Sequence, residues 1–302
     1  MKFRAPSTRI SGCEGDRRRR RPRRGTRRWR VASIIALSSP LAFSSASGQA
    51  DYLNTRAGRP LVTEDAYALH SGALDLYLAP VAASLSGSRA TSWLVTPGFS
   101  LGILPRTETG LEFPLSIQRD GPERRAGFTG IVLSALHGFT AETERLPALA
   151  LRASTTIPVG TFENRWRTAV RGIATRTMGR LRANLNVEYT YGDDGRTAQA
   201  ATASAFTQGN RWLAGAGIDR GDAYRTFLVG VESYARQPLD GSRRTLFTGR
   251  VAVRKQLGPA LLFESGLGRQ LNGADAAWTI SAGVSRTLSV SGLIPGLGRW
   301  GN

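Results

Sequence analysis

Beyond about residue 72 the chain alternates apolar and polar residues in run after run. In LRANLNVEYTY, Leu181, Ala183, Leu185, Val187, Tyr189 and Tyr191 share one face, opposite Arg182, Asn184, Asn186, Glu188 and Thr190. A period of two is the period of a β-strand. The same parity sets Leu111, Phe113, Leu115 and Ile117 against Glu112, Ser116 and Gln118, and Phe227, Val229 and Val231 against Glu232, Tyr234 and Arg236. It also sets Phe247, Val251 and Val253 against Arg250 and Arg254, and Leu261 and Phe263 against Glu264. Twelve strands are predicted, at 72–86, 91–104, 106–118, 127–139, 147–157, 165–177, 181–191, 211–219, 223–236, 244–256, 260–270 and 277–289. No amphipathic helix of useful length accompanies them.

One greasy face and one charged face suit two architectures. A soluble sandwich or lipocalin-like barrel turns the apolar face inward; an outer-membrane barrel turns it to lipid and lines its lumen with the charges. Strand length and turn asymmetry favour the second. Most runs exceed the usual five or six residues and match the 9–11 or more of a tilted membrane-crossing strand. The links LPR, MGR, RGD and LGP are short, whereas RDGPERRA, PVGTFEN and 192–210 are long, and TAETERL departs slightly from the alternation. Short turns at one end and long loops at the other, with an even strand count, put both ends of the barrel on the periplasmic side. The expected fold is therefore all-β: a transmembrane antiparallel up-and-down barrel of about 12 strands, of the outer-membrane type. Trp93, Trp166, Tyr191, Trp212, Tyr224 and Trp278, near strand ends, suit interfacial girdles.

Charge changes the picture only at the N-terminus. The net charge is +19, but residues 1–50 hold 13 basic and 2 acidic residues, leaving 28 and 20 for the rest. Arg17 to Arg30 reads as the basic region of a secretory signal, Val31 to Phe43 as its apolar region, and Gly48 to Ala50 as a small-residue cleavage site. The apolar run is too short to cross a bilayer as a helix. A nucleic-acid-binding arm, a twin-arginine signal around TRRWRV and a lipoprotein box at ISGC are weaker alternatives. No nucleic-acid partner is expected. Cys13, the single cysteine, would leave with the signal, and two histidines remain. That composition argues against a Cys/His metal site and a nucleophilic triad, so no enzyme activity, cofactor or metal is expected.

Candidate functional residues follow from parity. Asp75, Glu112, Glu188, Glu232 and Glu264 share the polar face with Arg152, Arg171, Arg182, Arg250 and Arg254. Facing lipid at mid-membrane an arginine costs about 2–4 kcal/mol, which assigns these groups to the lumen. There they either fill a narrow barrel with ion pairs or set the charge preference of a pore. In the preceding RPLVTEDAYALHSG, Glu64 and Asp65 are candidates for ligating a cation or plugging the lumen. The plainer reading, preferred here, is a solvated periplasmic lead-in, since Pro60 is barred from a sheet centre and Thr63 or Asp65 caps a local turn. His70 then lies at the strand mouth and His137 in the wall; Asp193 to Gly195 reads as a turn.

The lead-in also carries a resemblance. Arg59, Pro60, Leu61, Thr63, Asp65, Ala66 and Gly72 resemble the opening segment of the MetA-pathway phenol-degradation family of outer-membrane transporters in Gram-negative bacteria. TIPVGTFEN (156–164) is similar to that family's strand-end loop, Arg211 to Ser233 to a later strand pair, and AWTISAGVSRTL to its closing strand. The resemblance implies a barrel of about twelve strands that passes small molecules, aromatic or apolar ones among them. The run-on SVSGLIPGLGRWGN departs from the usual terminal aromatic strand.

The chain is thus read as a signal (1–50), a periplasmic lead-in (51–71), a barrel (72–290) and a tail (291–302). The expected function is a porin-like outer-membrane channel or transporter. Its partners are the lipid bilayer, a small-molecule solute in the lumen and the outer-membrane assembly machinery. A soluble periplasmic or secreted barrel binding an apolar ligand, and a structural barrel with a plugged lumen, are the alternatives. A barrel in the membrane fraction will show heat-dependent mobility on a detergent gel; recovery in the soluble fraction without detergent would overturn the membrane reading.

Overall fold

The alternation becomes fourteen strand segments in the computed structural model, which describes residues 53–85, 91–120, 123–159, 166–192, 210–222, 226–239, 243–273 and 277–290. The expected signal, the tail and the Asp193 to Gly195 turn lie outside the described residues, as does most of the 156–164 loop. In chain order the strands are β1 (Ala73–Leu85), β2 (Thr91–Leu104), β3 (Thr107–Glu112), β4 (Leu115–Asp120), β5 (Glu123–Phe128), β6 (Ile131–Thr140) and β7 (Ala148–Ile157). They continue with β8 (Arg167–Met178), β9 (Leu181–Gly192), β10 (Asn210–Asp222), β11 (Phe227–Pro238), β12 (Leu246–Gly258), β13 (Leu261–Gln270) and β14 (Trp278–Ser289).

All pairings are antiparallel, and β1 pairs with both β14 and β2, so the sheet closes on itself. Fourteen segments make twelve staves, because two staves are broken at mid-length. β3 and β4 pair with successive halves of β2, and β6 and β5 pair with β3 and β4 in turn. The break falls at Phe113 and Pro114, where proline has no N–H for the ladder; there Phe113 N–H donates to Pro97 O at 2.9 Å and Thr129 N–H to Pro114 O at 3.0 Å. In β1 the register slips between Leu78 and Val81, across Pro80. This is the place a proline takes in a strand, at a bulge.

The two faces of the wall differ as the parity requires. On β9 Leu185, Val187, Tyr189 and Tyr191 are 56–78% exposed, whereas Asn184, Asn186 and Thr190 are at most 1% exposed. Large apolar side chains stand on the outside of every long stave, among them Leu76, Val170, Ile218, Val251, Leu267 and Val284. Buried polar side chains line the inside. A water-soluble barrel would reverse this, so the alternative of an apolar-liganded soluble barrel lacks its apolar interior. Trp93, Trp166, Tyr191 and Trp278 all stand exposed at the long-loop end, whereas Tyr224 lies outside the described residues.

Val187, paired with Gly172 and Ala214, tests the outward assignment. Val187→Arg will lower stability to urea in lipid vesicles by about 2–4 kcal/mol if the site lies at mid-membrane, with Val187→Leu near neutral. Equal stability of the two variants would contradict it.

Candidate functional site

Residues 53–72 do not run outside the barrel as a solvated lead-in. Glu64 and Thr63 are 0% exposed, Asp65 1%, Arg59 2% and Leu61 0%. The segment lies against the inner wall as a plug, and its polar groups meet the inward groups of the strands. Arg56 Nη1 donates to Glu108 of β3 at 2.8 Å, and Arg59 Nη2 to Asp75 of β1 at 2.7 Å. The Val62 and Thr63 N–H groups donate to Glu232 of β11 at 2.8 and 2.7 Å, and Thr63 Oγ1 adds a third bond at 2.8 Å. Glu64 accepts from Arg152 Nε at 2.9 Å and from Arg171 Nη1 at 3.4 Å, while its backbone pairs both ways with Asn186. Asp65 meets Arg182 at 3.0 Å and caps Thr55 N–H at 2.7 Å. Ala66 N–H donates to Thr175 Oγ1, and Leu69 N–H to Glu108, both at 2.9 Å.

The reason for burial is complementarity. An extended segment carries unpaired N–H and C=O groups that cannot be left dry, and the inner wall offers carboxylates and amides at matching heights. Small residues make room. A Cβ on Gly217 would stand 2.6 Å from Thr63 Oγ1, one on Gly230 2.7 Å from Leu61 Cδ1, and one on Gly102 2.1 Å from the His70 carbonyl oxygen. Val62 packs with Leu213 and Tyr234, and Ala66 with Leu136, Ala148, Ala150 and Ile173.

The ten parity candidates divide between plug and wall. Asp75, Arg152, Arg171, Arg182 and Glu232 hold the plug directly. Glu188 holds Arg171 at 2.7 Å, and Glu112 accepts from Tyr77 Oη at 3.0 Å. Arg254 and Glu264 pair at 3.3 Å, and Arg250 donates to Ser281. Glu64 and Asp65 pair with arginines, and among the described residues no group of three or more His, Cys, Asp and Glu is placed to hold a metal. His70 is exposed at the mouth, and His137, on the outer wall, bonds Thr107 at 2.9 Å and meets the Phe139 ring edge-on.

Two further wall acids complete the set: Glu108, which bonds both Arg56 and Arg152, and Asp219, which bonds Arg182 at 3.1 Å and Asn184 at 2.8 Å. Glu108 shares the parity of Glu112, so its signal was present. Arg56 and Arg59 belong to the set too, although nothing local in the sequence marks wall carboxylates as their partners.

At the short-turn end a cavity of about 770 Å³ opens below the plug, lined by Ala66 to Ser71, Arg106, Gly179 to Arg182 and Asp219 among others. Here Tyr67 Oη donates to Glu142 at 2.7 Å, and Glu142 also accepts from Thr177 Oγ1 at 2.9 Å, clamping the 141–147 connection to the plug. Burial pushes the Asp65 carboxyl up to about 6, against the pull of Arg182 and of the Thr55 and Tyr67 N–H groups. Burial and then Glu142 push the Tyr67 hydroxyl up to about 12.

No family model and no curated protein matches the chain by sequence. Among solved structures, the fold is similar to that of the COG4313 outer membrane channel from Pseudomonas putida F1, with a TM-score of 0.50 and 16% identity over 74% of this chain and 98% of that one. The fold is that of an outer-membrane β-barrel. A KdgM porin is a more distant likeness, with a TM-score of 0.44 and 12% identity over 71% of this chain and 98% of that one. With its inner face polar and its outer face apolar, the barrel is thus a lipid-type wall around a segment of its own chain.

Glu232→Ala removes the acceptor of three plug donors and leaves two buried N–H groups unpaired, at about 1–3 kcal/mol each. In a Cys13→Ser background, Val62→Cys will resist a water-soluble maleimide and will react once Glu232→Ala is added. Equal reactivity with and without Glu232→Ala would contradict the anchoring role.

Proposed function

We propose that this protein is an outer-membrane channel for small molecules whose lumen is shut at rest by residues 53–72. One observation carries the reading. The wall is built for lipid outside and for polar groups inside, yet the inside is occupied by a segment tethered mainly through hydrogen bonds and ion pairs. Such bonds exchange readily with water and solutes, whereas a covalent or purely apolar plug would not. The short turns and both ends of the described barrel then lie in the periplasm, and the plug enters from that side. The lumen-facing charges Arg152, Arg171, Arg182 and Glu232 are both the docking points of the plug and, once it moves, part of the conduction path. Insertion by the assembly machinery and export through the N-terminal signal belong to the same reading. So does kinship with the phenol-degradation transporters, supported by Arg59, Pro60, Leu61, Thr63, Asp65 and Ala66; the largely apolar lining of the short-turn cavity gives aromatic solutes a place to rest.

A second reading, a structural barrel closed for good, is favoured by the number of buried ion pairs the plug makes, since breaking one by removing a partner costs about 3–5 kcal/mol. Planar bilayers and liposome swelling separate the two. Glu64→Ala removes the shared partner of Arg152 and Arg171, and on the channel reading raises conductance and the swelling rate for neutral solutes above those of the wild type. Barrels that insert but stay closed to ions and solutes in both forms would leave the structural reading and overturn the channel.

A further inference from the structure

On the other side of the plug from the short-turn cavity lies a second, smaller chamber of about 80 Å³, whose lining reaches Asn210 at the long-loop start of β10. Arg56, Arg59, Tyr77, Ser100, Ser134 and Glu112 belong to that lining. Each plug arginine uses only part of its guanidinium. Arg56 Nη1 is taken by Glu108 and Arg59 Nη2 by Asp75, whereas Arg56 Nη2 and Arg59 Nε and Nη1 are buried without an acceptor. A buried donor without an acceptor is costly, and more so when charged. Ser134 accepts from Arg152 at 3.3 Å, which leaves its own O–H to donate. Three buried guanidinium nitrogens of the chamber lining and the Ser134 O–H are all donors, so the unmet need is for acceptors.

We propose that this chamber is a binding site for a small monocarboxylate, held on Arg56 and Arg59 at the outer face of the plug, and so names the class of solute the channel handles; it rests on the channel reading for that last step. A guanidinium fork fits a carboxylate in a way it fits no spherical anion. The chamber, at about 80 Å³, is a small one, which suits a short carboxylate. Glu112 sets the limit. Its carboxylate, held by Tyr77 Oη at 3.0 Å, faces the same space while Arg59 lies over the Tyr77 ring at 3.8 Å. A second negative charge on the solute would meet Glu112, so dicarboxylates are disfavoured. Because Arg56 and Arg59 also tether the plug through Glu108 and Asp75, a bound carboxylate competes with the groups that keep the lumen shut.

Equilibrium dialysis of the full chain in detergent, in chloride-free buffer, tests this with radiolabelled acetate against acetamide, which has the same shape without the charge. Saturable acetate binding that acetamide lacks, weakened about tenfold or more in the Arg56→Lys/Arg59→Lys variant and tightened in Glu112→Gln, is expected. Lysine keeps the charge opposite Glu108 and Asp75, so the variant tests the fork and not the ion pairs, and its heat-shifted gel mobility reports that it has folded. Should it fail to fold, Glu112→Gln decides alone: tighter binding supports the site, and unchanged or weaker binding overturns it. Absent or acetamide-equal binding in the wild type, or binding unaltered by both substitutions, also overturns it. Binding without solute flux in Glu64→Ala would retain the site and remove the channel; flux without binding would do the reverse.

Discussion

The inner face of this barrel cannot be left to itself. Asp75, Glu108, Arg152, Arg171, Arg182, Asp219, Glu232 and Glu264 project into a closed wall and are all buried or nearly so. A charge in such a place needs an opposite charge and further hydrogen bonds to stay ionised at modest cost. Wall-to-wall pairs such as Arg171 with Glu188 meet part of the need, and residues 53–72 meet more of it. The plug brings two arginines, two acids and a run of backbone N–H groups to the heights where the wall has complementary partners. Plug and wall are thus one electrostatic unit.

That unit explains why the remainder is built as it is. Glycines at 102, 217 and 230 bring the wall close to the plug backbone, so that hydrogen bonds of about 2.8 Å form without side chains in the way. The small chamber and the larger short-turn cavity lie on the two sides of the plug, one lined by arginines and hydroxyls and the other mostly by apolar groups. On the proposed channel reading, the gate is made of the same interactions that stabilise the fold. On that reading opening costs stability, and a solute able to replace the plug's acceptors reduces that cost.

Much of the fold was legible because a strand in a two-sided wall repeats every second residue. The predicted segments 181–191 and 260–270 correspond to β9 and β13 within one residue, and the polar parity around Glu188, Arg250 and Glu264 is the inward face. The breaks at Phe113 and Gly130 escape the sequence pattern, since each half-strand keeps the alternation and only the pairing, of β3 and β4 with β2 and of β6 and β5 with β3 and β4, reveals two pieces. The plug was misread for a related reason. Glu64 and Asp65 look solvated in a segment with Pro60 and no strand pattern, and their partners Arg152, Arg171 and Arg182 lie about a hundred residues away. The one local hint was the density of polar hydrogen-bonding residues between two proline- and glycine-marked points, Pro60 and Gly72.

What the sequence by itself determined is the wall: strand positions, the antiparallel order implied by alternating short and long links, and which side chains face in. These follow from local geometry, since period and turn length are properties of neighbours along the chain. Only the tertiary structure decided what the inward charges meet. Closure of β1 onto β14 brings residues from strands far apart in the chain around one axis, and the distances across that axis, unlike the period along a strand, are written in no single stretch of sequence.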